Sequence, residues 1–162
     1  MLIKGSITAL VTPMNEKGDL DYDSLEKLIN FQINSGISGL VAVGTTGESA
    51  TIDFKDHINL IEFYVKINNG RVHIIAGTGA NSTEEALHLT KEAKSAGADA
   101  ALLVSPYYNK PPQDGIYYHH MKIADEVDIP QILYNVPSRT ASFIEPETVL
   151  RLSSHKNIIG IK

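Results

Sequence analysis

The residue types that can do chemistry in this chain gather at the ends of its short apolar runs. Gly44-Thr45-Thr46-Gly47-Glu48-Ser49 follows Gly39-Leu40-Val41-Ala42-Val43, and Gly77-Thr78-Gly79-Ala80-Asn81 follows Val72-His73-Ile74-Ile75-Ala76. Ser105-Pro106-Tyr107-Tyr108-Asn109 follows Ala101-Leu102-Leu103-Val104, and Gln131-Ile132-Leu133-Tyr134 leads into Asn135-Val136-Pro137-Ser138-Arg139-Thr140. A last run, Ile158-Ile159-Gly160-Ile161, ends on Lys162. These ends supply hydroxyls, glycines, one Arg and one Lys, with neither paired carboxylates nor a His cluster among them. That inventory suits amine catalysis. A Lys held among apolar strands is hard to protonate, so more free amine is available to attack a ketone. The iminium that forms draws electrons from the neighbouring carbon, and a Tyr hydroxyl tied to a Thr can relay the protons. A Gly-Thr-Thr-Gly loop exposes backbone N–H groups and hydroxyls suited to a substrate carboxylate.

Taken singly, each residue has a plainer reading. A Lys at a strand end is more often a solvated surface charge, and Tyr134 would be a core aromatic with its hydroxyl reaching water. Gly44 and Gly47 alone mark a turn, and Glu48 reads as a brace for its loop rather than a base. Gly77-Thr78-Gly79 is a weak dinucleotide signal without a third nearby Gly or a clear acidic partner, and no Gly-Lys-Ser/Thr follows any glycine run. His119 and His120 are adjacent and would diverge on a helix, while His57, His73, His88 and His155 lack supporting carboxylates. Neither a metal nor a cofactor is expected.

Composition narrows the class. With 162 residues, 43% of them apolar and 20% charged, the chain matches an ordinary soluble globular protein with a sizeable core. A formal charge of -5 argues against a nucleic-acid partner, which would need a basic face. An anionic small substrate stays open, because one Arg or helix N-terminus can hold a carboxylate. The absence of Cys excludes disulfides, thiol nucleophiles and thiolate metal sites. Met1-Leu2-Ile3-Lys4-Gly5 lacks the pattern of a signal peptide, and no apolar stretch approaches a membrane span. No membrane partner is expected, and the cytoplasm is the expected location.

The elements that must position these residues alternate. The apolar runs, beginning with Ser6 to Val11, are short enough for parallel strands covered on both faces. Helical patterns lie between them. Leu25, Leu28, Ile29 and Ile33 share a face, with Asp23 or Ser24 as the expected N-cap. Ser82-Thr83-Glu84-Glu85 forms a capping box before Ala86, Leu89, Ala93 and Ala96, and Gly97 closes that helix. Segments 53–68, 115–126 and 145–154 complete five helices between six strands. A doubly wound sheet would be complete at this length, whereas a (β/α)8 barrel usually takes about 250 residues. The motifs outweigh length: the expected fold is an α/β partial (β/α)8 TIM barrel, one domain over 1–162 that ends with the sixth strand of a longer barrel.

Gly44-Thr45-Thr46-Gly47-Glu48, Tyr134-Asn135-Val136-Pro137 and Ile158-Ile159-Gly160-Ile161-Lys162 together resemble the signatures of the dihydrodipicolinate synthase and N-acetylneuraminate lyase superfamily. The likeness runs across the whole chain, in order and at matching spacing. It implies an eight-unit barrel with a Schiff-base lysine ending the sixth strand, here Lys162. The stretch from Tyr134 to Thr140 resembles the synthase branch, which implies that pyruvate forms an iminium on Lys162 and its enamine attacks L-aspartate-4-semialdehyde. Cyclisation would give 4-hydroxy-tetrahydrodipicolinate, on the way to diaminopimelate and lysine. Thr45, Tyr134 and Tyr108 match the family's proton relay, Tyr108 coming from a neighbouring subunit. Thr46 matches a pyruvate-carboxylate contact and Arg139 the binder of the aldehyde's carboxylate. The resemblance further implies a homo-oligomer, typically a dimer of dimers. Ser49, Ala50, His57, Asn81, Glu85 and Tyr107 match a site between subunits where lysine inhibits many members, and Phe54 departs from the His often found there. Rival readings are another pyruvate aldolase, such as N-acetylneuraminate lyase or 2-keto-3-deoxygluconate aldolase, and a non-catalytic half-barrel module. Ser138-Arg139-Thr140 argues against the first.

Overall fold

The computed structural model describes residues 3–162. Its strands are β1 (Ile7–Ala9), β2 (Gly39–Ala42), β3 (His73–Gly77), β4 (Ala100–Val104), β5 (Gln131–Tyr134) and β6 (Ile158–Ile161). Every neighbouring pair is parallel, and the sheet order is β1-β2-β3-β4-β5-β6. A doubly wound sheet reverses its order at a switch point. This sheet adds each strand on the same side of the last, so the fold is a partial (β/α)8 barrel.

The helices are α1 (Tyr22–Asn34), α2 (Phe54–Asn68), α3 (Thr83–Ala96), α4 (Gln113–Glu126), α5 (Pro137–Thr140) and α6 (Pro146–Leu152). Side chains alternate across the strands and build two layers of core. Leu40, Ala42, Ile74 and Ala76 face outward under α1 and α2, against Leu25, Ile29, Leu60, Ile61 and Tyr64. Ala101 and Leu103 meet Ala86, Leu87 and Ile123 of α3 and α4, and Leu133 meets Ile116, Ala124 and Leu152. The alternate residues Val41, Ile75, Ala100, Leu102, Ile132 and Tyr134 form the interior cluster. Each fully buried Leu or Ile contributes about 1.5–3 kcal/mol of transfer free energy, which ties helices to sheet.

Local chemistry sets the ends. Ser82 accepts from the Glu85 N–H at 3.4 Å, and Gly97 closes α3 with φ +95°, both as expected. The cap of α1 is Asp21 rather than Asp23 or Ser24. Its carboxylate accepts from the Ser24 N–H at 2.9 Å and the Ser24 hydroxyl at 2.6 Å. An N-cap lies three residues before the N–H it satisfies, so the cap falls outside the apolar periodicity that begins at Leu25. Helix α4 starts at Gln113, two residues before the expected Gly115, because Pro112 suits the entry. The additional one-turn α5 has Pro137 at its start and is closed by Ala141 in the left-handed region.

Candidate active site

Pairing of β5 with β6 continues past their ends. Lys162 donates its N–H to the Leu133 carbonyl at 2.8 Å, and Asn135 donates its N–H to the Lys162 carbonyl at 3.0 Å. This ladder sets Lys162 beside Tyr134, with its Nζ 4.4 Å from the centre of the phenol ring. A cation over an aromatic face is attracted by the ring quadrupole. Lys162, expected among apolar strands, is exposed in this chain. The cause is position, since among the described residues β6 has β5 on one side and no strand on the other, and only Ile158 of its four residues is buried.

After β2 the chain makes 3₁₀ turns at Thr45–Gly47 and Ser49–Thr51. Thr12 pins the first, donating its hydroxyl to the Gly47 carbonyl at 2.7 Å. Glu48 braces the loop through its backbone, not its carboxylate. It sits in the left-handed region at φ 61°, and its carbonyl accepts from the Thr51 N–H at 3.0 Å and hydroxyl at 3.1 Å. Gly77 and Gly79 owe their place to close packing: a Cβ on Gly77 would collide with the Val43 carbonyl, and one on Gly79 with the Val104 N–H. No phosphate-cradling role is needed to account for them.

A cleft of about 410 Å³ opens beside this loop. It brings together five of the six residues matched to a regulatory site, Ser49, Ala50, His57, Glu85 and Tyr107, with Thr45 and Arg139 on the same lining. Asn81 stands one step back and donates to the Tyr107 carbonyl at 3.2 Å. His57 lies 2.7 Å from the Gly77 carbonyl through Nε2, which must carry the proton because a carbonyl can only accept. Burial holds its imidazole below the ordinary range, opposed by that hydrogen bond. Burial, and secondarily the Glu85 carboxylate, push the Tyr107 phenol up. Phe54 also lines the cleft, its ring stacked on His88 at 5.0 Å and 14°.

A profile of the Dihydrodipicolinate synthetase family matches residues 2–162. The chain belongs to this family. Among its relatives, the 4-hydroxy-tetrahydrodipicolinate synthase of Pseudomonas putida (strain W619) is 62% identical, over 99% of this chain and 55% of the relative. The chain therefore spans about half the length of the curated relatives it matches. The crystal structure of chloride-inhibited dihydrodipicolinate synthase from Acinetobacter baumannii complexed with pyruvate superposes with a TM-score of 0.98 at 53% identity, covering 99% of this chain and 55% of that one. The synthase from Cyanidioschyzon merolae with lysine bound gives 0.96 at 40%, with the same coverage.

Two further residues matched to the dihydrodipicolinate synthetase family lie outside the cleft lining. Thr46 is exposed on the first 3₁₀ turn. Tyr108 is 89% exposed and held at φ 72°, with its N–H 3.4 Å from the Thr140 carbonyl. Sequence reading gave Asn135 no role of its own. Asn135 stands inside a motif, yet its side-chain bonds to a residue nine positions on leave no periodic trace. Among the described residues no group of His, Cys, Asp or Glu is arranged to hold a metal ion, and no helix is long and apolar enough to cross a membrane. The His119 and His120 rings, expected to diverge, instead meet edge to face with centroids 5.0 Å apart and planes at 88°, and both are buried. Burial pushes His119 down to about 4, and burial together with its neighbour pushes His120 down to about 3.

Proposed function

We propose that this chain is the lysine-bearing portion of an enzyme that condenses pyruvate with L-aspartate-4-semialdehyde through a Schiff base. The observation that carries the reading is the Lys162 amine 4.4 Å from the Tyr134 ring, in a member of this family. The amine adds to the pyruvate ketone, water leaves, and the iminium loses a methyl proton to become an enamine. The enamine carbon bonds to the aldehyde carbon. The substrate's own amine then attacks the iminium carbon and releases Lys162, giving 4-hydroxy-tetrahydrodipicolinate. Tyr134, Thr45 and a Tyr108 from a neighbouring copy carry the protons, and the 89% exposure of Tyr108 leaves it free to reach across. Thr46 takes the pyruvate carboxylate, and the planar Arg139 guanidinium takes the aldehyde's carboxylate. The pyruvate complex of the Acinetobacter baumannii relative favours a keto acid as the first ligand.

The test uses the full-length gene product that contains residues 1–162. Treated with pyruvate and borohydride, it gains one reduced pyruvyl group, and peptide mapping finds it on Lys162. Label on a different lysine, or none, rejects the proposal. Turnover of sialic acid in place of aspartate-semialdehyde would redirect it to a lyase.

A further inference from the structure

Asn135 is the first residue after β5, and it touches both halves of the candidate site. Its backbone N–H donates to the Lys162 carbonyl at 3.0 Å. Its side chain reaches in the other direction, to Ile144: Oδ1 accepts from the Ile144 N–H at 3.1 Å, and Nδ2 donates to the Ile144 carbonyl at 3.3 Å. A primary carboxamide of this length supplies both bonds at once, while Asp keeps only the acceptor and Ala keeps neither. The clasp closes the loop 136–143, which contains α5 and therefore Arg139.

The loop is also fastened from within. The buried Thr140 hydroxyl accepts from the Ser142 N–H at 3.1 Å, with the Ser142 and Val136 carbonyls at 2.7 and 3.1 Å as acceptors for its single proton. Ser142 meets Ser105 hydroxyl to hydroxyl at 3.2 Å, at the end of β4. Gln113 grips the far side, donating to the Phe143 carbonyl at 2.8 Å and accepting from the Glu145 N–H at 3.1 Å and the Thr148 hydroxyl at 2.7 Å. Gln113 thus ties the start of α6 to α4. Asn135 ties the Arg139 loop to the strand pair that holds Lys162 and Tyr134.

We propose that Asn135 is a positioning residue: its clasp on Ile144 sets the Arg139 loop in register with Lys162, so that the second substrate's carboxylate is held where the enamine can reach its aldehyde. This rests on the function proposed above. An exposed arginine on a loop gains from being pre-ordered, because less freedom is lost when the ligand binds.

The test compares Asn135→Ala, Asn135→Asp and Gln113→Ala in the full-length gene product. With Asn135→Ala, hydrogen exchange across 136–144 speeds up about tenfold and the KM for aspartate-semialdehyde rises about tenfold, as expected for two lost neutral hydrogen bonds, while kcat changes less than about twofold. Borohydride trapping of pyruvate on Lys162 is unchanged. Asn135→Asp recovers part of the KM, and Gln113→Ala leaves it alone. Adding Asn135→Ala to Arg139→Ala gives no further rise, because the clasp acts through that arginine. An unchanged aldehyde KM, a further rise in the double variant, or a parallel loss of pyruvate trapping overturns the proposal. If the unmutated protein traps no pyruvate, the function itself fails, and that result is separate from an indifferent Asn135→Ala in a protein that does trap it.

Discussion

Strands β3 and β6 are both short, apolar and glycine-containing, yet their surroundings differ. β3 runs between β2 and β4 and is buried in four of its five residues; among the described residues β6 pairs with β5 alone and is buried only at Ile158. Burial in a parallel sheet is thus set by neighbours as much as by composition. The contrast bears on the chemistry. The hydroxyl loop after β2 stands on a closed frame, whereas Lys162 stands on an open edge, with Ile159 and Ile161 39% and 47% exposed beside it.

The sharpest way to break this comparison is a matched pair of truncations. Ile74→Ala empties a site that is 1% exposed under α1 and α2, and should destabilise the chain by about 2–5 kcal/mol. Ile161→Ala, at 47% exposed, should change stability by less than about 1 kcal/mol. Urea unfolding of both variants against the unmutated chain decides it. Equal losses would mean that β6 is packed as tightly as β3.

A smaller effect sharpens the picture of the closed side. His119 and His120 of α4 are buried, and neither ring nitrogen of His120 has a hydrogen-bond partner among the described residues. Both folded-state values lie below the unfolded value near 6.5, at about 4 and about 3, because burial disfavours the charged form. Their neutral forms therefore support the fold fully above about pH 6.5, and that support is lost as pH falls toward 4 and then 3. His120→Leu removes one of the two protonation sites. It should raise stability at pH 4 relative to pH 7.5 by about 3 kcal/mol compared with the unmutated chain. Identical pH dependence in the two proteins would show that His120 is not the group that titrates.

What the residues disclosed in advance follows the same division. The six strands were legible because apolar runs of four to six residues need cover on both faces, and Ser82 and Gly97 marked the ends of α3 by cap chemistry alone. Asp21 escaped notice because a cap lies outside the apolar period it serves. The four-residue α5 escaped because one turn has no period at all. The motif around Lys162 signalled an amine beside Tyr134, and the structure brings the two together. The exposure of Lys162 was not legible there, since burial depends on what packs along the edge of β6. The clasp from Asn135 to Ile144 and the grip of Gln113 on Phe143 join residues that share no helical or strand period, which pattern reading cannot resolve.

The smallest expected effect lies at the cleft, where the closed frame meets solvent. Phe54 and His88 are both exposed, and their stacked rings lie 5.0 Å apart. One face of the phenyl is thus taken up by the imidazole, and the ring has no lone pair for an ammonium group. Replacing it by Phe54→His supplies an acceptor at the cleft wall while keeping a planar ring for His88 to stack on. Stability should change by less than about 1 kcal/mol, because the stack is half solvated. If the cleft takes lysine, its affinity should rise about fivefold, roughly 1 kcal/mol, the scale of one added hydrogen bond. Calorimetric titration with lysine reads this directly. An affinity that stays level or falls would show that Phe54 does not limit the cleft.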